Sequence, residues 1–181
     1  MVSEGDIVNI EEIKVIPHAY ELARTITDNK ADSKIMGSSL TEIEKLEKEM
    51  QLEFPRAFRE YLMCFGGDEG GEYSLFSGSD PGLCFVKFAT EVLLETLNEE
   101  NQTPLEDTPL ICFFSHQGYN FLYFHVNGDD NPMCYNYKEI GKDKKTGLPV
   151  GGISQFVRFD EVLIKLLKRG QGIPMEMKNK I

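Results

Sequence analysis

Residues Leu40 to Gly71 read LTEIEKLEKEMQLEFPRAFREYLMCFGGDEGG, a stretch that decides the fold because two amphipathic helices and a stop follow one another in it. Thr41 and Glu44 match a T-x-x-E capping box, which predicts a helix start there. Pro55 lies where a second helix would begin, because its missing N–H costs nothing in a first turn. Glycines 66 and 67 are expected to end that helix by tolerating positive φ. Both helices are too short to be stable alone, so they must pack on apolar residues elsewhere.

The apolar residues, the proline and the glycine pair of this stretch recur at a defined spacing: Ile43, Leu46, Glu47, Met50, Leu52, Pro55, Phe58, Tyr61, Leu62, Gly66 and Gly67. That spacing resembles the opening of the SUKH superfamily. The superfamily groups bacterial immunity proteins of toxin systems with yeast cell-wall-assembly regulators and some viral proteins. A serine–glycine turn at 115–120 before an aromatic hairpin, and an apolar helix near the end, extend the resemblance over roughly residues 40–170. Two features depart from it: His116 stands where many relatives carry an acid, and the chain has no tryptophan.

The length and composition predict a single globular domain. The chain has 181 residues, of which 41% are apolar, which is enough for a substantial core. We divide it into an N-terminal helix and polar linker (1–39), a SUKH-like domain (40–170) and a loosely held tail (171–181). No stretch approaches the roughly 20 apolar residues of a membrane helix, and the N-terminus lacks the features of a signal peptide. We therefore expect the protein in the cytoplasm.

The charge balance limits the partners that this chain can bind. Thirty acidic residues against nineteen basic ones give a formal net charge of −11. Such a charge disfavours nucleic acid or an anionic membrane as direct partner, since both are negative. It suits a basic protein, for example a nuclease domain whose own surface binds phosphate. The acidity is equally consistent with a role in solubility alone.

The region after the glycines shows mixed signals. Residues 73–76 are short, β-prone and bounded by turn residues, so they predict a strand. Residues 83–88 are predicted as a further extended piece. Thr90 is expected to be the N-cap of a helix whose inward side carries Val92, Leu93, Leu94 and Leu97, before a polar loop.

The C-terminal half is dominated by strand patterns. Three strands are predicted, at 110–114, 119–126 and 133–137, because the runs are apolar and aromatic and are separated by turn residues. Residues 141–152, GKDKKTGLPVGG, are predicted to form a charged loop. Asp160 is expected to cap a closing helix that carries basic residues near its negative end. These elements predict an α+β fold: one mostly antiparallel or mixed sheet, with helices packed at both ends of the chain.

Two patterns resemble catalytic or metal sites. Cys112, His116 and His125, with Cys134 nearby in sequence, could form a zinc set or a cysteine–histidine pair, and Cys112 and His116 are spaced to share one face of a strand. No two of them have the C-x-x-C or H-x-x-x-H spacing, which favours buried thiols and a core histidine. All four cysteines of the chain are expected to be buried and reduced.

A second pattern, Asn127-x-Asp129-x-Asn131, resembles a calcium loop. Pro132 stands where the loop needs glycine, and no closing glutamate follows, so a hairpin turn is favoured. No cofactor or metal is therefore predicted, and no nucleophile motif points to an enzyme.

The resemblance implies an immunity protein that binds and neutralises a cognate toxin, and the acidity suits a basic toxin. Two alternatives remain: a regulatory scaffold like the yeast proteins, and a small hydrolase that would need bound zinc or a reactive thiol. The sequence does not define the oligomeric state. The residues expected to contact the partner lie on predicted loops beside the sheet: Asp68, Glu69, Glu72, Asp80, His116, Tyr119, Asp129 and Asp130.

Overall fold

A computed structural model describes residues 12–29, 35–67, 75–76, 82–104, 106–142, 144, 147 and 149–170. Helices surround a single antiparallel sheet, which confirms the predicted α+β class. The elements are α1 (Pro17–Asn29), α2 (Leu40–Met50), α3 (Arg56–Phe65), α4 (Leu83–Glu99), β1 (Leu110–His116), β2 (Asn120–His125), β3 (Met133–Lys142), β4 (Pro149–Arg158) and α5 (Phe159–Gly170).

The four strands lie in chain order, β1-β2-β3-β4, and every neighbouring pair is antiparallel. The aromatic runs form β1, β2 and β3 as predicted. β3 continues to Lys142, however, and β4 begins at Pro149, so the loop predicted at 141–152 is wrong for residues 141–142 and 149–152, half of its length. Glycines obscured the strand pattern there. Gly151 is required because a Cβ at this position would lie 2.3 Å from the ring of Tyr137.

Each face of the sheet has its own hydrophobic core. On one face, α1, α2, α3 and α5 pack around an aromatic cluster in which the Phe58 ring lies 5.2 Å from Phe124 and 5.7 Å from Phe159. On the other face, α4 packs Leu93 and Leu97 against aromatic residues of β2 and β3. Two helix layers around one sheet explain why the strands are apolar on both sides. In the described part of the chain, no helix is long and apolar enough to cross a membrane.

A β-bulge at Phe113 changes which residues of β1 share a face. Cys112 pairs with Tyr123 and Phe114 pairs with Leu122, so Phe113 is the extra residue. Cys112 belongs to the core under α4, whereas both phenylalanines belong to the opposite core. The bulge therefore moves His116 to the face opposite Cys112, and the prediction that the two share a face is wrong.

The start of α2 differs from the predicted capping box. Ser39, rather than Thr41, is the N-cap: its hydroxyl accepts from the Glu42 N–H, and the Glu42 carboxylate accepts from the Ser39 N–H at 2.8 Å.

Glu47 joins α2 to α3. Its carboxylate accepts from the Phe54 N–H at 2.7 Å and from Arg59 at 2.8 Å.

The glycine pair after α3 serves close approach and not positive φ, which corrects the expectation from sequence. Gly66 has φ −65°, and Gly67 is not among the residues with positive φ. The segment before α2 runs along the end of α3: Ser38 N–H donates to Leu62 O at 2.9 Å, and Gly67 N–H donates to Met36 O at 2.9 Å. At Gly37, a Cβ would lie 1.7 Å from the carbonyl oxygen of Met63. The two backbones lie too close for side chains between them.

The predictions for residues 73–90 are corrected by the structure. α4 begins at Leu83, so residues 83–88 are helical and not extended, and Thr90 lies inside the helix and not at its N-cap. Leu75 and Phe76 form a buried turn and not a strand; residues 73–74 lie outside the described part. Thr90 is suited to its interior position because its hydroxyl donates to Val86 O at 2.7 Å.

Helix α1, the helix predicted within residues 1–39, begins at Pro17 and packs against α5 in the larger core. A buried carboxylate on α3 holds the residues that lead into it. Glu60, 4% exposed, accepts from the N–H groups of Lys14, Val15 and Ile16 at 3.0, 2.8 and 3.1 Å. Arg56 Nε donates to the same carboxylate at 3.0 Å. Four donors therefore satisfy this buried charge.

Candidate partner-binding surface

The predicted acidic contacts Asp68, Glu69, Glu72 and Asp80 lie outside the described residues. The described residues on either side of this segment nevertheless meet in space. Leu83 N–H, in the first turn of α4, donates to Gly66 O at 2.8 Å, just after α3. The described residues that flank the acidic segment are therefore hydrogen-bonded to each other beside the first turn of α4.

His116 and Tyr119 lie together at the β1–β2 turn. Gln117 and Gly118 have φ 52° and 72°, which is the left-handed pair that a tight hairpin turn requires. The two rings are 5.4 Å apart in an edge-to-face arrangement, and Tyr119 is 36% exposed. His116 also stands in a polar row across the sheet, opposite Asn120, which is opposite Lys138.

Asp129 and Asp130 lie in the β2–β3 turn, where they stabilise the fold. Asp130 O accepts from the Ala57 N–H at 2.8 Å, at the start of α3. The Asp129 carboxylate accepts from the Asn131 N–H at 3.0 Å and from Arg158 at 2.7 Å. The Asn131 bond and then the Arg158 bond lower the pKa of Asp129. The turn that resembled a calcium loop is thus explained by its own hydrogen bonds.

Asn131 extends this network to α5. Its side chain accepts from the Asp160 N–H at 3.1 Å and donates to the Asp160 carboxylate at 2.8 Å. α5 begins one residue before the predicted cap, at Phe159, whose N–H donates to Pro132 O at 3.0 Å. The turn therefore positions the first turns of both α3 and α5.

The four described contact residues do not form one surface. His116 pairs with Asn120 at the start of β2, and the turn with Asp129 and Asp130 follows its end. Six strand residues separate the two groups by about 20 Å at 3.3 Å per residue. A partner that contacts both ends of the sheet would have to be large.

The outward side of α4 combines exposed apolar and acidic residues. Phe88 is 64% exposed and Leu94 is 46% exposed, in a helix whose inward side is buried. Single exposed apolar residues are ordinary on a surface, and Ile140 is more exposed still at 74%, so Phe88 is distinguished by the acidic residues around it and not by its exposure alone. We define the α4 outer face by five exposed residues: Phe88, Glu91, Leu94, Glu95 and Glu99.

The α4 outer face is strongly acidic. Glu91, Glu95 and Glu99 follow one another at i, i+4 spacing, an arrangement of like charges that slightly destabilises a helix. Lys87, the lone base of α4, donates to Glu49 of α2 at 2.6 Å. This bond lowers the pKa of Glu49 and raises that of Lys87, so the pair is charged near neutral pH. Lys87 also attracts Glu91, one turn further along α4, so the row of three glutamates beside Phe88 is partly balanced at its first member.

Helix α4 is fastened to the sheet at its middle and at its C-terminal end. The Thr90 hydroxyl accepts from the Cys112 N–H at 3.0 Å on the outer edge of β1. The Glu100 carboxylate accepts from the Tyr137 hydroxyl at 2.5 Å and from the Gly151 N–H at 2.7 Å. Burial, and then the Glu100 bond, raise the pKa of Tyr137. The α4 outer face is therefore presented by a fixed element.

Three of the four cysteines are not in a state that favours nucleophilic chemistry. Burial raises the pKa of Cys64 and Cys112 to about 12 and also raises that of Cys134. These three are buried thiols, as predicted, whereas Cys84 is exposed, so the prediction that it is buried is wrong. Within the described residues, no group of three or more histidine, cysteine or acidic side chains is placed to hold a metal.

Phe88 is not among the contacts predicted from the sequence, because residues 83–88 are predicted there to be extended and not helical. The signal was present in the spacing of Val86, Leu93 and Leu97, since these positions lie on one side of a helix that starts before Thr90. A helical reading of the whole stretch places Phe88 opposite the buried side.

Comparison with known proteins identifies the family. The SUKH_6 family model, described as SMI1-KNR4 cell-wall, matches residues 40–148, which is more than half of the chain. Neither the curated proteins nor the solved structures give a significant match. The match begins at the start of α2, includes α3, α4 and the first three strands, and ends just before β4. The chain therefore belongs to the SUKH (SMI1-KNR4) family.

Proposed function

We propose that this protein is an immunity protein that neutralises a basic toxin by binding it through the α4 outer face. The observation that carries the proposal is the exposed ring of Phe88 beside a row of three glutamates on a fastened helix. An aromatic anchor and complementary charge are the features that give protein interfaces their affinity and association rate. Membership of the SUKH family supports the toxin–immunity role.

The acidic segment 68–80 would add to the same surface. The hydrogen bond between Leu83 N–H and Gly66 O, which joins the described residues that flank this segment, supports this assignment. Asp68, Glu69, Glu72 and Asp80 would then extend the negative row of α4 towards a basic partner. His116 and Tyr119 would belong to a second contact area, and Asp129 and Asp130 would contribute through the fold.

The mechanism would be occlusion. A toxin that acts on nucleic acid carries a basic active face, since it must bind phosphates. Seating that face on α4 would block access of the substrate without any chemical step by the immunity protein. Long-range attraction between the two charges would speed association at low salt, and the gain would fall as ionic strength rises.

A rescue assay tests this proposal. The C-terminal domain encoded by the gene directly upstream would be expressed in a sensitive host, with and without this protein, and survivors would be counted. We expect survival only with the protein, and loss of survival with Phe88→Ala combined with Glu91→Lys and Glu95→Lys. The lysines keep the i, i+4 like-charge pattern, so the helix should be retained.

A charge-matched control distinguishes a surface effect from net charge. Glu21→Lys with Asp28→Lys changes the charge by the same four units on exposed residues of α1, across the sheet from α4. This variant should still protect the host. Equal loss of protection by both variants, with circular dichroism showing folded proteins, would refute the α4 outer face as the binding site.

A second candidate function is supported by the description of the matching family model, which refers to the cell wall. On that reading the α4 outer face would bind a regulatory host protein and no toxin would be involved. Toxicity of the neighbouring gene product without rescue by this protein would favour this alternative over immunity.

A further inference from the structure

We propose that two copies of this chain associate through the edge strand β4, which pairs antiparallel with its own copy around Ser154. The inference does not depend on the proposed function. It rests on β4 backbone groups for which the described residues provide no hydrogen-bond partner, and on the lack of charge and proline in the part of β4 between Pro149 and Arg158.

The two edges of the sheet differ in how they are covered. At the β1 edge, the outward N–H of Cys112 is satisfied by the Thr90 hydroxyl of α4. At the β4 edge, only the first part is covered. The Gly151 N–H donates to Glu100 at 2.7 Å, and the Gly151 carbonyl accepts from the Gln102 side chain at 3.3 Å.

The bonds of Gly151 reveal which β4 residues point away from the sheet. In an antiparallel strand, alternate residues direct both backbone groups to the same side. Register between β3 and β4 is continuous from Gly151 to Gln155, so Ile153 and Gln155 share the orientation of Gly151. Within the described chain, no residue pairs with their outward N–H and C=O groups. Four backbone groups are therefore available on one short edge.

These four groups are self-complementary. A two-fold axis at Ser154 places Ile153 of one copy opposite Gln155 of the other, and each such pair exchanges two N–H···O bonds. Two pairs give four hydrogen bonds and use every available group. Because the axis is perpendicular to the sheet, it would join two sheets of four strands and place both α4 outer faces on the same side.

The sequence of β4 permits this pairing. Residues 150–157, VGGISQFV, contain no charged residue and no proline, in a chain of which 27% is charged; Pro149 and Arg158 stand at the two ends of β4, outside the paired residues 153–155. Edge strands of monomeric proteins usually carry a charge or a proline that prevents association. Self-pairing of this edge would bring no like charges together even though each copy carries a net charge of −11. Ser154 and Gln155 are both exposed, so neither needs to move to form the contact.

Sedimentation velocity across a concentration series tests the proposal on the full chain. We expect a concentration-dependent dimer for the natural sequence and a dimer Kd weakened on the order of tenfold or more for Ser154→Lys, which places two lysines at the axis. Thr41→Lys, on an exposed site of α2, adds the same charge away from the edge and should leave the dimer unchanged. A monomer at every concentration, or a dimer that Ser154→Lys leaves intact, would overturn the proposal.

Cysteine cross-linking tests the register independently. In a Cys84→Ser background, Ser154→Cys would lie at a pair with Cα atoms about 4.5 Å apart, within disulfide reach, and should form a covalent dimer on mild oxidation. Gln155→Cys is the matched control on the neighbouring exposed residue. Its two copies would be diagonal neighbours about 7–8 Å apart, too far to bridge. Equal cross-linking at both sites, or none at Ser154→Cys, would contradict this pairing.

Discussion

Replacing Glu60 with glutamine should destabilise the domain by releasing the segment that leads into α1. The glutamate carboxylate accepts four hydrogen bonds: Oε1 from Lys14 N–H and Arg56, and Oε2 from Val15 and Ile16 N–H. Glutamine keeps the shape but has only one acceptor oxygen. Its NH₂ group must therefore face two of the four donors.

The size of the effect follows from these bonds. Each hydrogen bond to a buried charged group contributes about 1.5–3 kcal/mol. Losing two of them is partly offset because the buried charge is also removed. We expect the free energy of unfolding to fall by about 3 kcal/mol, a large part of the total for a domain of this size.

Urea unfolding followed by circular dichroism measures this loss. Amide hydrogen exchange at residues 14–16 should also accelerate, because these N–H groups lose their acceptors. Glu53→Gln, on an exposed residue just before α3, is the matched control and should change little. A loss below about 0.5 kcal/mol for Glu60→Gln would refute the reasoning, since an effect of that size is ordinary for surface changes.

Three further predictions follow from the fold. Gly37→Ala should prevent stable folding, because its Cβ would lie 1.7 Å from Met63 O, whereas Gly152→Ala, with nothing within 4 Å, should leave the thermal midpoint nearly unchanged. Thr90→Val should cost about 1–3 kcal/mol in urea unfolding, because the Cys112 N–H loses its acceptor. Thr96→Val is the matched control, because the Thr96 hydroxyl donates to Val92 O, and it should cost less. Equal costs for the two variants would argue that the hydrogen bond from Cys112 N–H to Thr90 does not stabilise the domain. The pKa of Asp129 is lowered in the folded state. Its ionised carboxylate therefore stabilises the fold at pH values above the unfolded-state pKa of about 3.9. That stabilisation is lost as the pH falls through the lower pKa of the folded state. Asp129→Asn should therefore lower stability at neutral pH and flatten the acid dependence below about pH 4, and an unchanged acid slope would show that the carboxylate does not contribute.

The elements with clear periodicity could be predicted from the sequence. Helices α2 and α3 follow from their apolar stripes, and Pro55 lies at the N-cap of α3, next to its predicted place. β1 and β2 follow from their continuous apolar and aromatic runs, because aromatic and β-branched residues are enriched in strands. The family resemblance was carried by the same stretch that the SUKH_6 model matches from residue 40.

Elements that depend on contacts distant in sequence could not be predicted in the same way. β4 contains glycines that weaken a strand signal, and it forms because β3 provides a partner and the Tyr137 ring excludes any side chain at Gly151. The start of α4 could not be predicted because the apolar residues of Leu83–Phe88 are compatible with both a helix and a strand. Packing against β1 selects the helix.

For the candidate site, the sequence by itself determined the acidity and the family, because charge and local spacing are properties of the chain. Only the tertiary structure decided which residues stand together. It places Phe88 beside Glu91 and Glu95 on an outward helix side, bonds Asp130 to the first turn of α3, pairs Asp129 with Arg158, and sets Ile153 and Gln155 on the edge strand β4. These outcomes depend on strand register and on bulges such as the one at Phe113, which arise when distant segments pack and have no local signal in the sequence.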